Sequence, residues 1–219
     1  MNYTELTAAI KGYAENTFPD TVGSFTSANQ IATFVKMAEQ RIYNMVQLPA
    51  IRKNVTGNLT SGNKYLTTPT DWLSTFSLAI INASNEYSYL LNKDVNFIRE
   101  SYPDTDSPFY GVPKYYAVFD DNTFILGPTP DANYSAELHY FYYPNSIVTA
   151  STSWLGDNFD SVLLYGALLE AASFMKSEVE VINFYKARYD EAMEELKQLG
   201  DGKNRQDAYR SGQVRYPVR

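Results

Sequence analysis

The sequence predicts an α+β fold: a helical bundle from the N- and C-terminal helices, with an antiparallel β-rich domain inserted between them. Three observations carry this. Apolar residues recur with a helical period near both ends, they recur with period two in the middle, and the two patterns do not interleave. Neither terminal helical region can bury its apolar stripe alone, so the two must pack on each other. Residues 1–50 and 154–200 are read as the bundle, 51–153 as the β insertion and 201–219 as an extended C-terminal tail.

Glu5 to Tyr13 is a short first helix, with Leu6, Ile10 and Tyr13 at helical spacing. Phe18 to Phe25, carrying Pro19 and Gly23, is a loop. A clearer helix begins at Ser27, where Ser27 and Gln30 have the spacing of a capping box. Ile31, Phe34, Val35, Ala38, Ile42, Met45 and Val46 form one stripe. Lys36, Glu39, Gln40 and Arg41 fall largely outside it, and Pro49 closes the helix. The period then changes. Val55, Gly57 and Leu59, followed by Tyr65 and Leu66, predict a hairpin turning through Ser61, Gly62 and Asn63. Trp72 to Ile81 and Tyr87 to Leu91 read as strands, Asp94 caps a short helix through Glu100, and Tyr102 to Pro113 is a loop.

Pro113 to Pro144 reads as three consecutive antiparallel strands. Asp120, Asp121 and Asn122 supply the first turn, and Gly127, Pro128, Thr129, Pro130 and Asp131 a longer, stiff second one. The third run alternates cleanly: Tyr134, Ala136, Leu138, Tyr140 and Tyr142 share one face, and Ser135, Glu137, His139, Phe141 and Tyr143 the other. A polar link leads to Trp154. Asp160 to Lys176 is then apolar around most of its circumference, as the central helix of a bundle would be. Ser177 and Glu180 have capping-box spacing and open a last helix, with Ile182, Tyr185, Tyr189, Met193 and Leu196 as its stripe and Gly200 and Gly202 as its end.

Composition excludes several function classes. A net charge of −7 and a pI of about 4.8 oppose a nucleic-acid binder that works by neutralising phosphates. With no Cys there is no disulfide scaffold, thiolate catalysis or Cys-ligated metal. No apolar run is long enough to span a membrane, and the N-terminus lacks the basic-then-apolar pattern of a secretion signal. The 19 Tyr and 12 Phe are in excess. A tyrosine ring with a polar tip suits surfaces buried only on assembly, and equally suits half-exposed strands.

Catalytic chemistry has few candidates. His139, the only histidine, lies mid-strand and reads as a half-buried sheet residue rather than a base. Asp120 and Asp121 are adjacent, so they point to opposite sides, and a turn accounts for them. Glu170, on the most apolar helix, is either a general acid with a raised pKa or a polar contact at a helix or subunit surface. Metal-ligand spacing, a phosphate-binding glycine loop and a nucleophile elbow are absent. The expectation is a protein that is not an enzyme, with no catalytic residue, no metal and no cofactor.

Several segments together resemble one family. Lys64-Tyr-Leu-Thr-Thr-Pro-Thr-Asp-Trp72 is similar to its turn of tyrosine, leucine, proline, one residue and aspartate, although Thr67-Thr68 adds to what family members place before the proline. Gly111-Val-Pro-Lys-Tyr-Tyr116 resembles the entry to its meander. Phe124-Ile-Leu-Gly-Pro-Thr-Pro-Asp131 followed by Tyr140-Phe-Tyr-Tyr-Pro144 resembles the meander itself. Trp154-Leu, Leu163 to Ala172 and Tyr185 to Ala192 look like its closing helices. The family is the head-to-tail adaptor, or connector, of short-tailed and related bacteriophages, and the resemblance runs from about residue 27 to residue 199.

The resemblance implies a structural virion protein at the neck, assembled in the host cytoplasm. It implies a ring of copies, typically twelve, docked beneath the portal protein and above the next tail component, a nozzle or tail tube. DNA would pass through such a ring without specific binding, so its lumen should be acidic, and Glu191, Glu194 and Glu195 are the channel-lining candidates. The tail from Asp201 carries five basic residues against Asp201 and Asp207, a net of +3 that leaves −10 on the rest of the chain. In similar adaptors the C-terminal segment grips the portal. The portal-binding candidates are therefore Lys203, Arg205, Tyr209, Arg210, Val214, Arg215, Tyr216 and Arg219. Two rival readings are a tail-associated carbohydrate-binding module, using tyrosines as stacking platforms, and a tail-associated hydrolase using Glu170.

Overall fold

The computed structural model describes residues 1–20, 25–46, 48–103 and 106–204. The elements in order are α1 (Tyr3–Tyr13), α2 (Ser27–Met45), β1 (Arg52–Leu59), β2 (Tyr65–Thr67), β3 (Ser74–Ile81), β4 (Tyr87–Tyr89), β5 (Leu91–Asn92) and α3 (Val95–Ser101). After them come β6 (Tyr115–Asp120), β7 (Thr123–Gly127), β8 (Tyr134–Phe141), α4 (Ile147–Ala150), α5 (Trp154–Asn158), α6 (Asp160–Met175) and α7 (Val179–Asn204). The class is α+β. The chain divides into two compact units, one of Met1–Ile51 together with the chain from Pro144 onward, the other Arg52–Tyr143.

In the helical unit, α6 packs against α2, α7, α1 and α5. Val162, Leu163, Ala167, Leu168, Ala171 and Ala172 are all buried, which accounts for a helix with almost no polar face. Gly166 suits this close packing. A Cβ there would lie 3.1 Å from the Ala38 Cβ on α2 and 3.2 Å from the Tyr189 ring on α7. The α7 stripe is as expected, with Tyr185, Tyr189, Met193 and Leu196 buried.

Helix ends depart from the sequence reading in three places. The cap of α2 is Thr26, whose hydroxyl accepts from the Asn29 amide at 3.4 Å, so Ser27 and Gln30 form no capping box. Gln30 instead points inward, where its buried amide donates to the Pro19 and Phe25 carbonyls at 3.0 and 3.1 Å and holds the preceding loop. Ser177 does not cap α7 either. Its amide donates to the Ala172 carbonyl at 3.0 Å and closes α6, with Lys176 in the left-handed region at φ 56°. Gly200 and Gly202 do not end α7, which continues to Asn204; a helical glycine costs only about 1 kcal/mol.

The stretch between β8 and α6 holds two short helices, α4 and α5, capped by Ser146 and Ser153. Four and five residues are too few for a period to show. The start of α4 also buries Glu39, which the stripe on α2 had placed outside. Glu39 is 4% exposed, and its Oε1 accepts from the Ile147 amide at 2.9 Å. Burial raises its carboxyl above the usual range, against the opposing effect of hydrogen bonds from Ile147 and Ser146.

The β unit is built from two four-stranded sheets. The first has the order β1-β8-β3-β4 and is antiparallel throughout; the second has the order β2-β7-β6-β5, with β5 parallel to β6. Leu59, Leu78, Ile80, Leu138 and Tyr140 of the first sheet form one core with Tyr116, Phe124 and Leu126 of the second. The other face of the second sheet, at Ala117 and Ile125, is covered by Ile98 of α3, which Asp94 caps through the Asn96 amide at 2.8 Å.

This topology corrects the reading of 113–144 as one meander. Strands β6 and β7 form the expected hairpin, but β8 leaves them and lies between β1 and β3 in the other sheet. The stiff Gly127–Asp131 connection crosses between sheets instead of turning within one. The predicted hairpin of Val55–Leu59 with Tyr65–Leu66 is corrected in the same way. β1 pairs with β8 and β2 with β7, and the turn between them is anchored elsewhere. There the Gly62 amide, at φ +78°, donates to the Pro130 carbonyl at 2.9 Å, and the Ser61 amide to Asn133 Oδ1 at 2.9 Å. Tyr87 to Leu91 likewise splits, into β4 of the first sheet and the start of β5 in the second.

Candidate functional site

The acidic candidates are together. Glu191, Glu194 and Glu195 are exposed on α7, on the side away from Met193 and Leu196. Arg188 Nη1 donates to Glu191 Oε2 at 3.0 Å, a surface pair worth at most about 1 kcal/mol. Glu191 and Glu195 also border a cleft of about 290 Å³ between α6 and α7, with Tyr165, Phe184 and Arg188. Of the portal-binding candidates, Lys203 stands in the last turn of α7. Arg205, Tyr209, Arg210, Val214, Arg215, Tyr216 and Arg219 lie outside the described residues.

Glu170 receives a structural role. Its carboxylate pairs with the Arg41 guanidinium, tying α6 to α2. The pair forms part of a groove of about 380 Å³ that also takes in Met45, Lys186, Tyr189 and Asp190. This is the helix-surface contact, in which the carboxylate is held by a cation across a helix interface. Asp120 is a turn residue, its Oδ1 accepting from the Asn122 amide at 2.8 Å.

The outer face of the first β-sheet carries the aromatic excess. A bulge between Thr75 and Ser77 turns Phe76 onto this face beside His139, with ring centroids 4.9 Å apart. The Arg52 guanidinium lies 4.4 Å from the centre of the Phe76 ring and 5.5 Å from that of Phe141, a cation over two aromatic faces. Towards the sheet edge Tyr87 and Tyr89 stack at 6.4 Å and remain half or more exposed. A hydrogen bond to Glu137 raises the Tyr87 hydroxyl above its usual pKa.

Two polar contacts tie down the ends of β8. The Tyr140 hydroxyl donates to Asp71 Oδ1 at 2.7 Å, and Lys53 Nζ to Asp71 Oδ2 at 2.8 Å. These bonds, Lys53 first, hold the Asp71 carboxyl below its usual range. Tyr134 donates to Asp131 at 2.6 Å, which pushes its hydroxyl up to about 12. Sequence reasoning missed the cluster of Arg52, Phe76 and Phe141 and the contacts of Asp71. Their partners lie far apart in the chain, and only the period-two pattern pointed to a shared face.

Among the described residues no three His, Asp or Glu side chains converge on a metal-sized site, and no helix is long and apolar enough to cross a membrane. Exposed acidic and aromatic faces on two compact units are the equipment of a structural protein that works by contact. A family model described as SU10 adaptor protein matches residues 1–216, and the chain belongs to that family. It is a bacteriophage adaptor, a structural virion protein of the head-to-tail junction, and membership implies oligomerisation and contact with portal and tail components. No curated protein matches the chain.

Proposed function

We propose that copies of this chain form a ring, a dodecamer, beneath the portal, extend the DNA channel and dock the next tail component, a nozzle or tail tube. The helical unit serves as the bundle of that ring, and the β unit is the insertion carried on it. Assembly takes place in the host cytoplasm before the ring becomes part of the virion neck. Glu191, Glu194 and Glu195 face the channel, where carboxylates repel the phosphate backbone and let DNA pass without being held. The basic segment holding Lys203, Arg205, Tyr209, Arg210, Val214, Arg215, Tyr216 and Arg219 grips the portal as an extended clasp, its cations matched to an acidic partner.

The observation that carries this reading is the family match along residues 1–216. The exposed acidic side of α7 supports the channel assignment. Electron microscopy of the purified protein mixed with portal rings tests it. The expected result is a second ring on one face of the portal, lost when the chain is cut after Gly202 while the melting temperature stays nearly unchanged. A truncated chain that docks with unaltered affinity would remove the tail from the grip, and a full chain that never docks would remove the ring.

A further inference from the structure

Two hollows flank α7 in the helical unit, and they differ in kind. On one side Phe184 stands 53% exposed beside the cleft of about 290 Å³ against α6, with Tyr165 behind it. Tyr165 meets Tyr13, also half-exposed, edge to face at 6.3 Å, so this side is an aromatic knob. On the other side the groove of about 380 Å³ has Met45, Leu169 and Tyr189 as its apolar lining, and Met45 is 53% exposed. Lys186, on the rim of that groove, follows Phe184 by two residues, which is about 200° around a helix. The knob and the groove therefore look in nearly opposite directions from one helix.

Charge on both surfaces is largely answered within the chain. Arg188 is held by Glu191, and its guanidinium lies 5.7 Å from the centre of the Phe184 ring. Arg41 is held by Glu170. Glu195 remains on the knob side, and Lys186 and Asp190 on the groove side. The first surface thus carries a net of −1 and the second none, so neither selects a strongly charged partner. What they offer is shape. An exposed aromatic side chain is a natural anchor, and a methionine-lined groove adapts to a ring and gains from sulfur at its edge. A projection and its receptacle on one chain, facing opposite ways, let identical copies join head to tail and close a ring.

We propose that Phe184 of one copy enters the Met45 groove of the next, so that the two sides of α7 form the interface between copies of this chain. A second copy is the occupant because the family implies oligomerisation and because each surface finds its complement on the same chain. Glu194 lies about 80° from both Phe184 and Lys186 around the helix. It stays clear of both neighbours and keeps its carboxylate for the channel. The inference rests on the ring reading, whose contact it names. With the charges answered inside each copy, apolar burial drives the association and salt does little to it.

The chain has no cysteine, so introduced cysteines report the interface without background. Arg188→Cys marks the knob side and Lys186→Cys the groove side. Each variant of the full chain, and an equal mixture of the two, is treated with a short bismaleimide, free and on portal rings. Cross-linked dimers are expected from the mixture and not from either variant alone, and they should persist as salt is raised. Phe184→Ser should weaken association on the order of tenfold in sedimentation, at an unchanged melting temperature because the side chain is exposed. Tyr89→Ser, an exposed aromatic change in the other unit, should leave association as it is. Dimers from one variant alone would make the contact two-fold and overturn the proposal. So would cross-linking to the portal only, or an equal loss with Tyr89→Ser. A ring on the portal without the mixed product overturns this interface and leaves the ring reading in place. The mixed product without a ring keeps the interface and removes the ring, and the absence of both removes both.

Discussion

Glu39 gives the sharpest test of how the helical unit is held. Its carboxylate is buried on α2 and accepts the amide of Ile147, itself fully buried at the start of α4. Glu39→Ala leaves that N–H without a partner, which costs about 1–3 kcal/mol. It also strips one methylene, Cγ, from the packing, at about 0.8 kcal/mol. The expected loss is about 2–4 kcal/mol. Glu39→Gln keeps an acceptor of the same shape and removes the buried charge, so it should lie within about 1 kcal/mol of the native protein at pH 7. The sign with pH follows from the raised carboxyl. A group that holds its proton more tightly when folded contributes stability below its unfolded value, here about 4.5, and that contribution is lost as pH rises through the folded value. The native protein should therefore gain on Glu39→Gln as pH falls towards 4.5. The assay is urea unfolding followed by Trp154 fluorescence in a Trp72→Phe background, since the chain has only two tryptophans and Trp154 lies in α5. If Glu39→Gln is as damaging as Glu39→Ala, the carboxylate acts by its charge and the hydrogen-bond argument fails.

Two further outcomes are expected. Asp71→Asn should lower the urea midpoint of the β unit at neutral pH, read by Trp72 fluorescence in a Trp154→Phe background. The side chain is 37% exposed, so water replaces much of what is lost and the cost should stay near or below about 1 kcal/mol. Because Lys53 and Tyr140 hold its pKa down, that stability is present above about 3.8 and disappears as pH falls through the folded value; a difference that persists in strong acid would contradict the assignment. Lys176→Gly should stabilise the helical unit by about 1 kcal/mol, since a left-handed conformation costs a residue with a Cβ about that much; calorimetry showing a lower melting temperature would refute it.

The sequence by itself determined the class, the longer helices and the inward face of most elements. Periodicity is local: residues three or four apart share a helix face, and residues two apart share a strand face, whatever lies opposite. Ala136, Leu138 and Tyr140 could therefore be read as inward from their alternation, and Tyr185, Tyr189 and Leu196 from their helical spacing. The partners of those faces were decided only by tertiary structure. The alternation of β8 is the same whether it neighbours β7 or lies between β1 and β3, so nothing in Tyr134–Phe141 announced the change of sheet. Glu39 reads as a surface residue on α2 because the helix that buries it is four residues long and 108 positions away. Gly57 is the converse case. Its parity places it inward, and only the three-dimensional arrangement of two unequal sheet edges leaves the space above it open.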